Sequence, residues 1–245
     1  MPKKIKLLFL MSDPRDVGYR PTLDEEFRQV KKSLFASKYR RFFKLEAELA
    51  VQLKDLREAL SRHQPDIVHY SGHGNDKGLV LQNHVGRRTL IGKRVLAELF
   101  KAHPEVRMVV LNACYSAAQL EAITETVDFT IGTKDMVLDP HAVTFAAAFY
   151  YELASGRSID QALTAARAEL IGKKAPRSKL PELKMRQGAD ASFSFIAEPS
   201  SRPRKKTAER TPRKPSGLII AGRDNKHNIN IIGDHASVNQ GRPKR

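Results

Sequence analysis

Four short, almost continuously apolar runs constrain this chain most: residues 5–10, 67–70, 106–111 and 127–131. Each is short and nearly continuous in apolar residues, the pattern of a strand buried on both faces, and each gives way to Gly, Ser, Asn or Asp. Between and after them lie helical patterns at 22–36, 53–63, 91–102, 140–153 and 158–171, the last two separated by Ser155-Gly156. Pro21 followed by Thr22-Leu23-Asp24-Glu25 reads as a capping box opening the first helix. Strand–helix alternation of this kind predicts an α/β sandwich with a mainly parallel sheet.

The 245 residues suit one sizeable domain plus an appendage, with the domain over 1–197. Residues 198–216 are rich in Pro, Ser, Lys and Arg and nearly free of apolar side chains, so they read as a disordered basic linker. A β-prone segment follows at 217–240, then a basic end at 241–245. Residues 199–245 carry 12 Lys+Arg against three acids, which places +9 of the formal charge of +16 in this tail. The excess basicity therefore gives no reason to expect a nucleic-acid face on the folded domain.

Having one cysteine excludes a disulfide framework and a Cys-based zinc site, and fits a reducing, cytoplasmic setting. The apolar run at 7–11 is too short for a signal-peptide core or a membrane span. No cofactor is expected. His63, His69, His84, His103, His141, His227 and His235 show no metal-ligand spacing, and His69 reads as a buried structural residue.

Two strands end in residues with chemical potential. The run at 67–70 leads into Ser71-Gly72-His73-Gly74, and the run at 106–111 leads into Asn112-Ala113-Cys114. In open α/β sheets, functional groups gather beyond the carboxyl ends of the strands. Were these strands neighbours, His73 would face Cys114, and an imidazole is the group that turns a thiol into a competent nucleophile. The glycines beside His73 would leave a backbone N–H unobstructed to join that of Cys114 in an oxyanion hole. Taken singly, each element has a plainer reading: a small buried hydrophobe for the thiol, a tight turn or phosphate nest for the glycine-flanked histidine. Their pairing at two strand ends favours the nucleophile.

The two blocks, 66–74 with Gly78-Leu79-Val80-Leu81 and 109–116, closely resemble the CHAT proteases, caspase-like cysteine peptidases of the clan that holds separase, metacaspases and caspases. The likeness takes in residues 7–14, Leu23-Asp24-Glu25-Glu26, Ile131-Gly132-Thr133, 145–150 and Gly156-Arg157-Ser158, and covers about residues 3–172. It implies a caspase-like three-layer sandwich, His73 as general base and acid, Cys114 as nucleophile, Gly74 as an oxyanion donor, and a protein substrate. The departure is Gly132-Thr133-Lys134-Asp135, where the resemblance leads one to expect Met after the glycine. In caspase-like folds this loop walls the primary pocket, so Asp135 and Asp139 become candidates for receiving a basic P1 side chain. For Asp139, followed by Pro140, the competing reading is a cap on the next helix.

The tail contains a pseudo-repeat offset by eleven residues, Ile-x-Gly-x5-Asn, pairing Ile220 with Ile231, Gly222 with Gly233 and Asn228 with Asn239. Short β-prone segments with Gly and Asn on a tether suit cross-β stacking, with Asn ladders along the fibre. This resembles amyloid signalling motifs of bacterial and fungal cell-death systems and, in part, the RHIM core. The resemblance implies homotypic pairing with itself or an NLR-like sensor, oligomerisation on activation, and a role in prokaryotic immunity or regulated death. Rival readings are a catalytically inactive caspase-like interaction module and a nucleic-acid-binding protein acting through the basic tail.

Overall fold

A computed structural model describes residues 3–17, 22–136 and 138–196. The linker, the pseudo-repeat with Ile220, Gly222, Asn228, Ile231, Gly233 and Asn239, and the basic end lie outside the described residues.

Each of the four apolar runs is a strand. They are β1 (Ile5–Ser12), β3 (Ile67–Gly72), β7 (Met108–Asn112) and β8 (Phe129–Gly132), with β2 (Phe43–Glu48) on one flank and β9 (Glu182–Met185) on the other. The sheet runs β2-β1-β3-β7-β8-β9. Every pair is parallel except β8 with β9. Between β3 and the third helix, β4 (Gly74–Asn75), β5 (Gly78–Gln82) and β6 (Arg88–Gly92) form a small antiparallel meander.

Among the described residues, six α-helices cover the two faces: α1 (Leu23–Ala36), α2 (Leu53–His63), α3 (Lys93–Lys101), α4 (Ala117–Thr124), α5 (Asp139–Ala154) and α6 (Ile159–Gly172). Strand alternation decides which core each side chain joins. Leu7, Phe9, Ile67, Val110, Phe129 and Ile131 pack with Val30, Phe149 and Leu163 of α1, α5 and α6. Leu8, Leu10, Val68, Val109 and Leu111 pack with Leu60, Leu96 and Leu120 of α2, α3 and α4. Burying a side chain of this size is worth about 1.5–3 kcal/mol, so both faces of the central strands contribute.

Helix starts follow local chemistry unevenly. Ser158 caps α6, its Oγ accepting the Gln161 N–H at 3.2 Å, and Asp55 of α2 accepts the Gln52 N–H at 3.0 Å. The capping box expected at Thr22 does not form: Thr22 is the N-cap of α1 but makes no side-chain cap bond. Its backbone N–H instead donates to Asp139 Oδ2 at 3.0 Å, which joins the first turns of α1 and α5.

Candidate active site

A cleft of about 480 Å³ opens at the carboxyl ends of the strands. It is lined by segments that follow four of them: Val17 and Leu23 after β1, His73 and Gly74 after β3, Cys114 and Tyr115 after β7, and Leu138 and Asp139 after β8. Convergence of this kind follows from parallel topology, because every crossover returns the chain to the same edge of the sheet. His73 and Cys114 both line the cleft, and both are half-buried.

Register explains the pairing. β3 and β7 are adjacent and parallel, with Ser71 opposite Asn112. His73 is two residues beyond the first and Cys114 two residues beyond the second. The segment carrying His73 is anchored from its other side: Val80 donates its N–H to the His73 carbonyl at 3.0 Å, and the Tyr70 hydroxyl, 2.7 Å from the Val80 carbonyl and 3.0 Å from that of His73, sits between the two. Burial pushes the Tyr70 phenol well above its ordinary value, so the hydroxyl remains a donor throughout the working pH range. Gly74 lies in β4, opposite Leu79.

The turn around Cys114 is held by the loop after β8. Thr133 Oγ1 donates to the Ala113 carbonyl at 3.1 Å, and the Tyr115 N–H donates to the Asp135 carbonyl at 3.3 Å. The Thr133 N–H donates to Ser116 Oγ at 3.0 Å, and the Ala117 N–H donates to the Thr133 carbonyl at 2.9 Å. The Gly-Thr departure noted in the sequence thus falls on the residue that clamps the turn carrying Cys114. Tyr115, next to Cys114, has φ of 53°, a left-handed backbone that costs a non-glycine residue roughly 1–2 kcal/mol. Strain at such a turn persists only because the surrounding bonds over-determine it.

The two candidate pocket acids part company. Asp139 lines the cleft. The helix-capping alternative does not hold for it: the N-cap of α5 is Leu138, with proline in the first turn, and the Asp139 carboxylate reaches across to Thr22. Asp135 is not among the residues that line the cleft. Its Oδ1 accepts the Met136 N–H at 2.7 Å, and Ser178 Oγ lies 3.4 Å from its Oδ2.

One acid at the site is named in the sequence only within the family likeness, with no role attached. Glu26, only 3% exposed, contributes to the cleft floor. Its signal was present in the helical spacing, since Leu23, Glu26, Val30 and Leu34 form the buried stripe of α1 and an acid on that stripe is out of character. His69, wholly buried, stacks on Phe9 with ring centroids 4.3 Å apart, in keeping with a structural role. Among the described residues there is no cluster of His, Cys, Asp or Glu suited to a metal ion.

A sequence profile of the family described as CHAT domain matches residues 6–223. A probable protease from Gillisia limnaea is 30% identical over 161 residues, spanning 63% of this chain and 28% of its own length. A Roc-COR-CHAT protease from an unknown prokaryotic organism is 32% identical over 135 residues, spanning 52% of this chain and 13% of its own. The chain thus spans less than a third of the length of the curated relatives it matches. The crystal structure of caspase-1 from Spodoptera frugiperda superposes with a TM-score of 0.52 at 11% identity, covering 80% of this chain and 92% of that one. The likeness shows a caspase-like α/β fold, as the two sequence blocks implied.

Proposed function

This chain belongs to the CHAT domain family, and from that premise we propose that it is a cysteine endopeptidase. The observation that carries the reading is the meeting, in one cleft, of an imidazole and a thiol delivered by neighbouring parallel strands. His73 takes the proton of Cys114, and the sulfur attacks the carbonyl carbon of the scissile peptide bond. The carbonyl electron pair moves onto oxygen, where the N–H groups of Gly74 and Cys114 receive it. As the C–N bond breaks, the His73 imidazolium gives its proton to the leaving nitrogen. Water, deprotonated by His73, then cleaves the thioester and frees Cys114. The names of the two curated relatives support the same class of chemistry.

The test is to incubate a proteome with the wild type, with Cys114→Ala and with His73→Ala, and to sequence the N-termini that appear. New N-termini are expected with the wild type alone. The same set from Cys114→Ala would overturn the reading.

A basic P1 residue fits the cleft best, with Asp139 as the acid that meets it and Asp135 outside the lining. Recruitment through the Ile-x-Gly-x5-Asn pseudo-repeat completes the proposal. Homotypic stacking with an NLR-like sensor or another copy would raise the local concentration of the catalytic domains. The setting would be cytoplasmic, in a prokaryotic defence or cell-death pathway, and the lone cysteine suits the reduced state a thiol nucleophile requires. Among the described residues no helix is long and apolar enough to cross a membrane. Exchanging Gly222 and Gly233 for Pro is expected to abolish self-seeded fibre formation. Fibres that persist unchanged would remove this part of the proposal.

A further inference from the structure

Beneath the cleft, one buried carboxylate ties together the strands that carry His73 and Cys114. Glu26 Oε1 accepts from His69 Nε2 at 2.7 Å and from Asn112 Nδ2 at 2.7 Å, while Oε2 accepts from Ser71 Oγ at 2.6 Å. Two of these donors are on β3 and one is on β7, and Ser71 and Asn112 stand opposite each other in the register. Each of that pair is two residues upstream of a proposed catalytic side chain. The network extends into α5: the Tyr150 hydroxyl lies 3.0 Å from His69 Nδ1, and Asn112 Nδ2 also donates to the Ala142 carbonyl at 3.1 Å. Burial, aided by the Glu26 charge, keeps the Tyr150 phenol protonated, so its hydroxyl is available to donate to His69 Nδ1 while His69 Nε2 faces Glu26.

A lone acid on the apolar stripe of an amphipathic helix is costly to bury unless its oxygens are filled. A side chain serving only to pack α1 on the sheet would be Leu or Val at this position, as at 23, 30 and 34. We infer that Glu26 is a positioning residue: its carboxylate fixes the ends of β3 and β7 relative to each other and so sets the approach of His73 to Cys114. The inference rests on the peptidase reading for its consequence in turnover, but its geometric content is independent of it.

Glu26→Ala, Glu26→Gln and Leu34→Ala separate positioning from stability. Gln presents an amide oxygen to His69 and Asn112 and an amide N–H to the Ser71 hydroxyl, so it restores the bridge without the charge. Leu34 is on the same helix, 5% exposed and outside the cleft lining, so its truncation costs stability without touching the bridge. Per folded molecule, Glu26→Ala is expected to lower kcat about a hundredfold with KM within about threefold, the scale of an ångström-sized misplacement. Alkylation of Cys114 by iodoacetamide should slow about tenfold, because the thiol loses its imidazole partner. Gln should bring both back to within about fivefold of the wild type, and Leu34→Ala should lower only the melting temperature.

Wild-type kcat and alkylation rate in Glu26→Ala would overturn the inference, and so would equal losses in Leu34→Ala. If the wild type cleaves nothing, the peptidase reading fails, and the alkylation rates still decide whether Glu26 positions the pair.

Discussion

Gly74 is pressed so closely against Cys114 that a Cβ built on it falls 2.8 Å from the Cys114 carbonyl oxygen and 3.1 Å from the Ala113 Cβ. The segment after β3 and the turn after β7 are therefore in backbone contact, and any side chain at 74 must move one of them. Gly74→Ala is expected to lower turnover about a hundredfold, since the displaced element carries either the imidazole or the sulfur. The overpacking itself should cost about 1–3 kcal/mol. Steady-state kinetics beside a urea melt checks both, and unchanged kinetics would mean that the contact has no bearing on the site.

Ser116 makes a second, narrower test of how the turn carrying Cys114 is held. It is wholly buried, donates to the Leu111 carbonyl at 3.0 Å and accepts the Thr133 N–H at 3.0 Å. Gly132 is packed against it so tightly that an added Cβ would fall 2.6 Å from Ser116 Oγ. Ser116→Ala removes the hydroxyl that accepts the buried Thr133 N–H and donates to the Leu111 carbonyl, at a cost of about 1–3 kcal/mol. In a domain of this size the melting temperature should fall by roughly 2–10 °C. Calorimetry measures it directly, and a melting temperature at the wild-type value would show that water replaces the hydroxyl.

How much of this was legible beforehand depended on whether a residue's environment is local. The four central strands announced themselves because burial on both faces leaves few polar positions, as in Leu7-Leu8-Phe9-Leu10. The edge strand β2, reading Phe-Lys-Leu-Glu-Ala-Glu, carries too little apolar content to stand out, and β9 joins the sheet only by pairing with β8 across more than forty residues of chain. Helix α4 is eight residues long, and its small and polar residues interrupt the apolar ones without a clear stripe, so its period is faint. At the site, His73 and Cys114 could be named because strand ends and glycines mark them in the sequence. The partners of Glu26 could not, since they are brought together by the register of two strands and the docking of a helix. Thr22 shows the same limit in reverse: a sound local capping signal lost to a carboxylate 117 residues away.

The choice between the two pocket acids is a question about charge. Asp139→Asn keeps an oxygen for the Thr22 N–H and removes the negative charge from the cleft, whereas Asp135→Asn changes a residue outside its lining. A hydrogen bond between ions is worth about 1.5–3 kcal/mol, so kcat/KM on peptides with Arg at P1 should fall about ten- to hundredfold in Asp139→Asn. The Asp135 variant should stay within about threefold, the scatter of substitutions away from such contacts. Measurement on a matched pair of Arg and Ala P1 peptides separates the cases. Equal losses on both peptides would remove Asp139 from specificity.

Far from the cleft, acid sensitivity can be traced to one carboxylate. Asp128, just before β8, accepts from Arg107 Nε and Nη2 at 3.0 and 2.9 Å and from Arg186 Nε and Nη2 at 3.0 and 2.5 Å, which ties the start of β7 to the end of β9. Arg107 also lies over the Phe193 ring, 4.1 Å from its centroid, which holds the guanidinium in place. Partial burial works to raise the pKa of Asp128, but the hydrogen bonds from Arg186 and Arg107 prevail and hold it below the ordinary value of 3.8. The sign follows from linkage. A carboxyl depressed in the folded state contributes its full stabilisation above the unfolded pKa and loses it as pH falls through the folded one. Asp128→Asn should therefore be less stable than the wild type by about 1–3 kcal/mol at neutrality. The gap should hold constant from pH 7 to about 5 and close progressively below about 4. Urea midpoints for both proteins at pH 7, 5, 4 and 3 test this. A gap that persists undiminished at pH 3 would mean that the clamp works through packing of the arginines and not through the ionised carboxylate.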